Sequence, residues 1–477
     1  MNSPLSRLPF GSVQCANSGI LVTLRLGEAP EEIPAMLDVN TRQLPAANNI
    51  DRGPIDRIVS RFAGGVRTAR LHAAKASAFQ PGCRHQRYDH LEQTTGVART
   101  FLLRLPPGTP IGRLCDALSQ LANIESVSPN YFAHSQDFEQ ASQGEGEGKD
   151  EKAWAPRHAV NLSQALAIEP GDPAVLVGLI DSGISLNHPE ISHRFRAGYD
   201  TVRLQPRDLG VNMELLGDFR HDDDDPTDQF VGHGMACAGI IGASGQGMPR
   251  GLAGDTRIIP MRALGAVKVP GKSSPLGLGA IADLDMAMKL CIDLGARVIN
   301  MSFGTDDRQL HQASPRPHRE IVDYALARGC ILVAASGNNG QETRYWPAAY
   351  PEVIAVGATN NTGQVANFST RGTHVDLCAP GERILTTALT GYQYATGTSF
   401  AAPFVSSTAA LLVAHAARHA HVLDAASVRQ ILTRSARAFA QPTTGCGSGI
   451  LDAAAALLTL RADIRSTRNR SGECHAA

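Results

Sequence analysis

The stretch Gly397–Leu412, GTSFAAPFVSSTAALL, decides the fold. Its Ala, Phe, Val and Leu content reads as a buried helix, with the hydroxyl of Ser399 at the helix mouth. The simplest role for such a serine is an N-cap, its oxygen accepting a backbone N–H. Pro403 is compatible with a first turn, where a missing N–H costs little. A nucleophilic role requires that the rest of the chain supply a base, an orienting acid and an oxyanion donor.

Outward from that helix, apolar strand-like runs alternate with helical patterns from Trp154 onward. The strands are AVLVGLID, TRIIPMRAL, ARVINMSF, CILVAAS and EVIAVGA; the helices include GHGMACAGIIGA, GLGAIADLDMAMKLCIDLG and HREIVDYALARG. Continuous apolar strands between helices predict an α/β fold with a mostly parallel sheet covered on both faces. In such sheets, functional residues gather at the carboxyl ends of strands. Three further signals sit at such ends or at helix mouths. Asp181 ends the first strand, in LIDSGI. His233 lies between two glycines at the start of an apolar helix. Asn338 follows a buried strand in AASGNNG. Each has a plain structural alternative: a turn aspartate, a capping histidine and an asparagine in a left-handed turn. Together they offer an acid, a base, an amide donor and a hydroxyl in the chain order Asp, His, Ser.

The N-terminal third has a different texture. The strand candidates GILVTLRL, VRTARLH, RTFLLRLP and SVSPNYF are separated by the helix candidates PIDRIVSRFAG and PIGRLCDALSQLANI. The β-α-β-β-α-β order predicts a small ferredoxin-like α+β sandwich. The Gly- and Glu-rich SQDFEQASQGEGEGKDEKAW that follows reads as an exposed flexible linker. The organisation expected is a tail at 1–17, a small domain at 18–133, a linker at 134–153, a large α/β domain at 154–460 and a frayed polar tail at 461–477.

A net charge of −1 gives no electrostatic reason to expect nucleic acid or an anionic membrane as partner. No run reads as a membrane span, and the N-terminus lacks the pattern of a secretory signal. The nine cysteines are scattered without a C-x-x-C pair, which excludes a zinc framework and mildly favours a reducing compartment.

The segments VLVGLIDSGI, GHGMACAG, AASGNNG and GTSFAAPFVSS resemble the Asp, His, oxyanion-Asn and Ser signatures of the subtilisin-like serine proteases. The resemblance covers about Trp154 to Leu460. It implies a subtilisin-like three-layer fold and a catalytic triad of Asp181, His233 and Ser399, with Asn338 as oxyanion donor. It further implies substrate binding along Ser302, Phe303, Gly304 and Gly279, a protein or peptide substrate, and a monomer needing no cofactor or catalytic metal. The 18–133 region resembles the family's inhibitory propeptide, especially LANIESVSPNYF, so a zymogen maturing within 134–153 is expected. Propeptide-bearing relatives mostly act outside the cell, which conflicts with the free thiols and the missing signal, so localisation stays open.

Some residues depart from the family pattern. His-Gly-Met-Ala replaces the usual His-Gly-Thr-His, and Cys237 lies one turn after His233. The acidic run at Asp222–Asp225 and Asp228 reads first as a solvated loop, with a structural Ca²⁺ site or a rim for basic substrates as alternatives. Tyr345-Trp346 are candidates to wall the P1 pocket. Three functional readings follow: a self-processing endopeptidase, a processing enzyme for one precursor peptide, and an inactive protease fold used for binding.

Overall fold

The structure is a computed structural model that describes residues 15–75, 88–135, 139–142, 150–209, 212–220, 222–312, 314–441 and 443–473. Its strands are β1 (Cys15–Leu24), β2 (Arg67–Arg70), β3 (Thr100–Arg104), β4 (Ile124–Ser135) and β5 (Glu139–Ser142), then β6 (Leu176–Asp181), β7 (Tyr199–Asp200), β8 (Glu214–Leu216), β9 (Arg257–Arg262) and β10 (Gly265–Lys268). They continue with β11 (Leu276–Ala280), β12 (Val298–Met301), β13 (Phe303–Asp306), β14 (Ile331–Ala335) and β15 (Tyr345–Trp346). The last four are β16 (Ile354–Thr359), β17 (Val375–Pro380), β18 (Ile384–Thr387) and β19 (Tyr392–Thr396).

The apolar strands of the large domain form a seven-stranded sheet in the order β17-β16-β14-β12-β6-β9-β7, with every pairing parallel. Parallel strands need crossovers, and the helices that make them cover both faces. The helices His233–Gly242 and Thr398–Arg418 pack on one face in a single core with Val177, Val333 and Val356. Helices Ile281–Asp293 and Arg319–Ala327 pack on the other with Ile180, Ile299 and Leu332. After β6 the chain builds outward to β9 on one side and then to β12 on the other. The carboxyl end of β6 is thus the topological switch point, where a crevice opens in doubly wound sheets. Asp181 sits there.

The ferredoxin-like expectation matches the N-terminal region, whose strands run β2-β3-β1-β4 with all neighbours antiparallel. Helices Pro54–Ala63 and Ile111–Leu118 cover one face through Ile55, Val59, Leu114 and Leu118. The other face packs on the large domain. There the Asn130 side chain accepts from the Ala282 N–H (3.0 Å), capping the Ile281–Asp293 helix. Glu320, in the first turn of its helix, accepts from Thr23 and Ser126 (2.8 Å each). The buried ammonium of Lys289 lies 2.7 Å from Glu92 and 2.6 Å from Asp293.

Three sequence expectations are corrected. Residues 134–153 were expected to be irregular; instead β4 runs on through His134 and Ser135, β5 spans Glu139–Ser142, and a helix spans Glu151–Ala159. Residues 143–149 lie outside the described residues. GLGAIADLDMAMKLCIDLG is a helix only from Ile281, since Gly277–Ala280 belong to β11. The tail expected to fray from 461 continues the Ala453–Glu473 helix. Among the described residues one helix, Thr398–Arg418, is long and apolar enough to cross a membrane, yet it is buried in the core of the large domain.

Asp283 is fully enclosed where the two domains meet, beside Arg104, Arg203 and Asp222. Burial, opposed by the Arg203 N–H bond, pushes its carboxyl up to about 8. The folded protein therefore holds this proton between the ordinary aspartate range and about pH 8, while the unfolded chain has released it. Where the folded state binds more protons, stability falls as pH rises. Asp283→Asn should flatten the decline of thermal midpoint between pH 4 and 8; an unchanged slope would refute the assignment.

Candidate active site

The site begins where two helix mouths meet the end of β6. His233 opens its helix after Gly232, which adopts φ +73°. Gly234 next to it touches the β6 turn so closely that a Cβ would lie 2.4 Å from the Gly183 carbonyl oxygen and 3.0 Å from the Asp181 Cβ. Only glycine permits this approach. It brings the buried imidazole of His233 to the buried Asp181, with Nδ1 and Oδ1 2.7 Å apart. The same Asp181 oxygen accepts from the Ser182 N–H at 2.7 Å.

Two residues not expected as structural anchors, Asp228 and Ser182, lock this junction. Asp228 accepts from the N–H groups of Phe230 and Val231 (2.9 Å each) and of Gly232 (2.7 Å), and from the Ser182 hydroxyl (2.7 Å). The Ser182 oxygen in turn accepts from the Gly234 N–H at 3.0 Å. The strand end and the helix mouth are thus stapled through one buried carboxylate. An aspartate five residues before a glycine-flanked helix start, in reach of the N–H groups two to four positions on, is an Asx-type signal that could have revealed it. The acidic run consequently divides: Asp223, Asp224 and Asp225 are exposed, while Asp222 and Asp228 are buried. Asp222 pairs with Arg203 at 2.8 Å and accepts from Asn40. The solvated-loop expectation holds for the first three carboxylates and fails for these two.

Ser399 is buried in the first turn of the Thr398–Arg418 helix, after Gly397 at φ +155°. Its hydroxyl donates to the Ser302 carbonyl at 3.3 Å, and its own carbonyl accepts from the Ser302 hydroxyl at 2.8 Å. Phe400 places its ring 5.3 Å from that of His233. Asn338 accepts through Oδ1 from both the N–H and the hydroxyl of Thr398, each at 2.8 Å. That pair fixes which end of the amide is oxygen and turns Nδ2 toward Gly397, where a Cβ would lie 3.0 Å away. The structure thus gathers all four expected residues around one helix N-terminus.

Met235 and Ala236 are accommodated without polar partners of the usual kind. The Met235 sulfur accepts weakly from the Ser185 N–H (3.4 Å), and both residues are fully buried. Cys237 donates to the Ser399 carbonyl at 3.4 Å, and its sulfur lies within 4.8 Å of ligand atoms of Asp181 and His233. Burial and the Asp181 carboxylate push this thiol well up, so it is protonated at neutral pH. Tyr345 lies against both Gly304 and Gly337.

The expected substrate edge is occupied by the chain itself. The end of β4 lies between β11 and β13, antiparallel to both: Ala133 pairs with Gly279, Phe132 with Ala280, His134 with Leu278 and Gly304, and Ser135 with Phe303. The Thr305 hydroxyl donates to the Phe132 carbonyl (3.0 Å), and the Gly277 N–H to the Ser135 hydroxyl (3.1 Å). The chain is next described as β5, paired antiparallel with β19, Glu139 against Thr396 and Ser142 against Gln393.

Asp228→Ala strands three N–H groups and the Ser182 hydroxyl. At about 1–3 kcal/mol for each unsatisfied buried group, it should lower the thermal midpoint sharply. A midpoint unchanged from wild type would sink the staple. Mercuric ion should inactivate the protein slowly through Cys237, and Cys237→Ala should abolish that sensitivity; equal inactivation of both proteins would place the effect elsewhere.

Residues 172–449 match the family model described as "Subtilase family". The thermophilic serine proteinase of Bacillus sp. (strain AK1) is 34% identical over 262 residues, 54% of this chain and 57% of that protein. Thermitase of Thermoactinomyces vulgaris is 32% identical over 256 residues, 53% of this chain and 79% of that protein. The alignment thus spans little more than half the length of the first of these relatives. The crystal structure of the epidermin leader peptide processing serine protease from Staphylococcus aureus superposes with a TM-score of 0.60 at 19% identity. That likeness is one of fold and covers 92% of this chain and 97% of the other. With the family model matched across more than half of its length, the chain belongs to the subtilase family of serine proteases.

Proposed function

We propose that this chain is a serine endopeptidase made as a zymogen that cuts itself. The observation that carries the reading is the path of the N-terminal region. β4 enters the gap between β11 and β13 as an added strand, the mode by which extended peptides bind sheet edges. The chain is next described as β5, held by the strand that leads into Ser399.

In this reading Ser399 Oγ attacks the carbonyl carbon and forms the acyl-enzyme. His233 takes the hydroxyl proton at Nε2 and delivers it to the leaving amine. Asp181 holds the Nδ1–H and steadies the imidazolium. The oxyanion is met by Asn338 Nδ2 and the Ser399 N–H at the positive end of the helix. No metal or cofactor enters any of these steps. The N-terminal domain is the inhibitor until the bond is cut, and its pairing with helices Ile281–Asp293 and Arg319–Ala327 favours assembly of a slow-forming parallel sheet.

Intact-mass analysis of freshly expressed protein beside Ser399→Ala tests this. Wild type should release an N-terminal fragment, with the new end between Ser135 and Glu139, and the variant should stay whole. Equal cleavage of both proteins, or a first cut outside that window, would overturn the reading. Asn338→Ala should cost about 10²–10³ in kcat, a magnitude established on subtilisin itself rather than derived from this chain. An Asn338→Ala enzyme with full kcat would remove that residue from the oxyanion site.

A narrower reading, processing of one precursor peptide, is favoured by the length of the grip. Four residues of β4 are paired with β11 and β13, and four of β5 with the strand that leads into Ser399. Broad digestion of denatured casein by the matured enzyme would argue against it.

A further inference from the structure

The segment between β6 and the His233 helix builds a surface of its own. It supplies β8, which pairs with β10, which pairs with β11, so a three-stranded antiparallel extension flanks the slot taken by β4. This extension has its own small apolar core, separate from the cores of the parallel sheet and of the N-terminal domain. It is formed by Val202, Leu204, Val267, Leu276 and Leu278 together with Phe132. Among the described residues of that cluster, Phe132 alone comes from the N-terminal domain. It sits opposite Ala280 in the register, only 6% of it is exposed, and its carbonyl is fixed by Thr305. The side chain two residues further on, His134, points to the same side of the strand, whereas Ala133 enters the larger core with Leu284 and Phe303.

We infer that the mature enzyme keeps an apolar subsite at the Phe132 position and selects substrates with a bulky apolar side chain there, opposite Ala280. The inference rests on reading β4 as chain in the substrate position. When the N-terminal domain leaves, the cluster loses one member and exposes a socket lined by aliphatic side chains. A substrate strand pairing with β11 and β13 in the same register carries one side chain into that socket. Phenylalanine, leucine or methionine would refill it, alanine would leave it unfilled, and aspartate would bury a charge beside aliphatic carbon. The occupant is therefore an extended peptide of apolar-aromatic character upstream of the cut.

The test uses enzyme expressed as the full chain and allowed to mature. Its substrates are fluorogenic peptides copying residues 128–142, SPNYFAHSQDFEQAS, with Phe, Leu, Ala, Asp or Trp at position 132. The Phe and Leu peptides should be cut with similar kcat/KM. Ala should lower it about ten- to a hundredfold and Asp further. On the enzyme side, Leu204→Ala enlarges the socket and should shift preference from Phe toward Trp. Ratios between two peptides on one preparation do not depend on how much enzyme is folded. Rates equal within about twofold for Phe, Ala and Asp, or an unchanged Phe/Trp ratio in Leu204→Ala, overturn the subsite while leaving proteolysis intact. Failure to cut the parent peptide by enzyme that has cut itself also overturns the subsite. Enzyme that cuts neither itself nor the parent removes the proteolytic reading as well.

Discussion

Everything at the site depends on one close approach, the contact of Gly234 with the turn after β6. The helix that carries His233 can dock on Asp181 only because no side chain stands between Gly234 and the Gly183 carbonyl. Asp228 and Ser182 then bind the two elements together at both ends of that contact. The arrangement keeps the Asp181 carboxylate and the His233 imidazole in register, so the proposed reaction would need little reorganisation. Ser399 is set by an independent constraint: Ser302 holds its turn from between β12 and β13, and Thr398 aims Asn338. A rigid sheet thus offers one strand end to each of its partners.

The two domains join through backbone as well as through side chains, with Leu21, Leu71, Leu102 and Tyr131 sharing one core with Ile281, Leu284 and Ile321. β4 belongs to both sheets, pairing with β1 through its first half and with β11 and β13 through its last residues. Polar groups near this seam act mostly as caps and paired charges, as with Asn130, Glu320 and the Glu92–Lys289–Asp293 trio. Removing one partner of such a buried set costs more than the set contributes when whole. That asymmetry makes the joined state well defined without making it permanent.

The sequence revealed what is local and left hidden what is long-range. Asp181, His233, Asn338 and Ser399 each carry their signal within a few residues, in a strand end, a glycine pair or a helix mouth. The β-α-β-β-α-β order was legible for the same reason. Pairing of β4 with β11 and of β5 with β19 joins residues more than a hundred positions apart, and polar Gly- and Glu-rich composition pointed to a linker instead. Gly277–Ala280 looked helical because the Ile281–Asp293 period runs smoothly backward into it; the edge pairing overrides that preference. Asp228 was missed as a structural anchor because four neighbouring aspartates masked it. Met235 and Ala236 show the reverse: a pair unusual in the sequence sits fully buried in the first turn of a regular helix.

The strand slot between β11 and β13 has a consequence for which proteins such a cleft can attack. A gap one strand wide admits a chain only as extended backbone, with both of its edges unpaired. A helix cannot enter, and a strand still paired within its own sheet can offer only one edge. A folded protein therefore becomes vulnerable in proportion to how often a short segment opens and detaches. When reclosing is faster than cutting, the rate reports the stability of that segment rather than its sequence. Discrimination in such a cleft lies in the victim's local unfolding as well as in the side chains it presents.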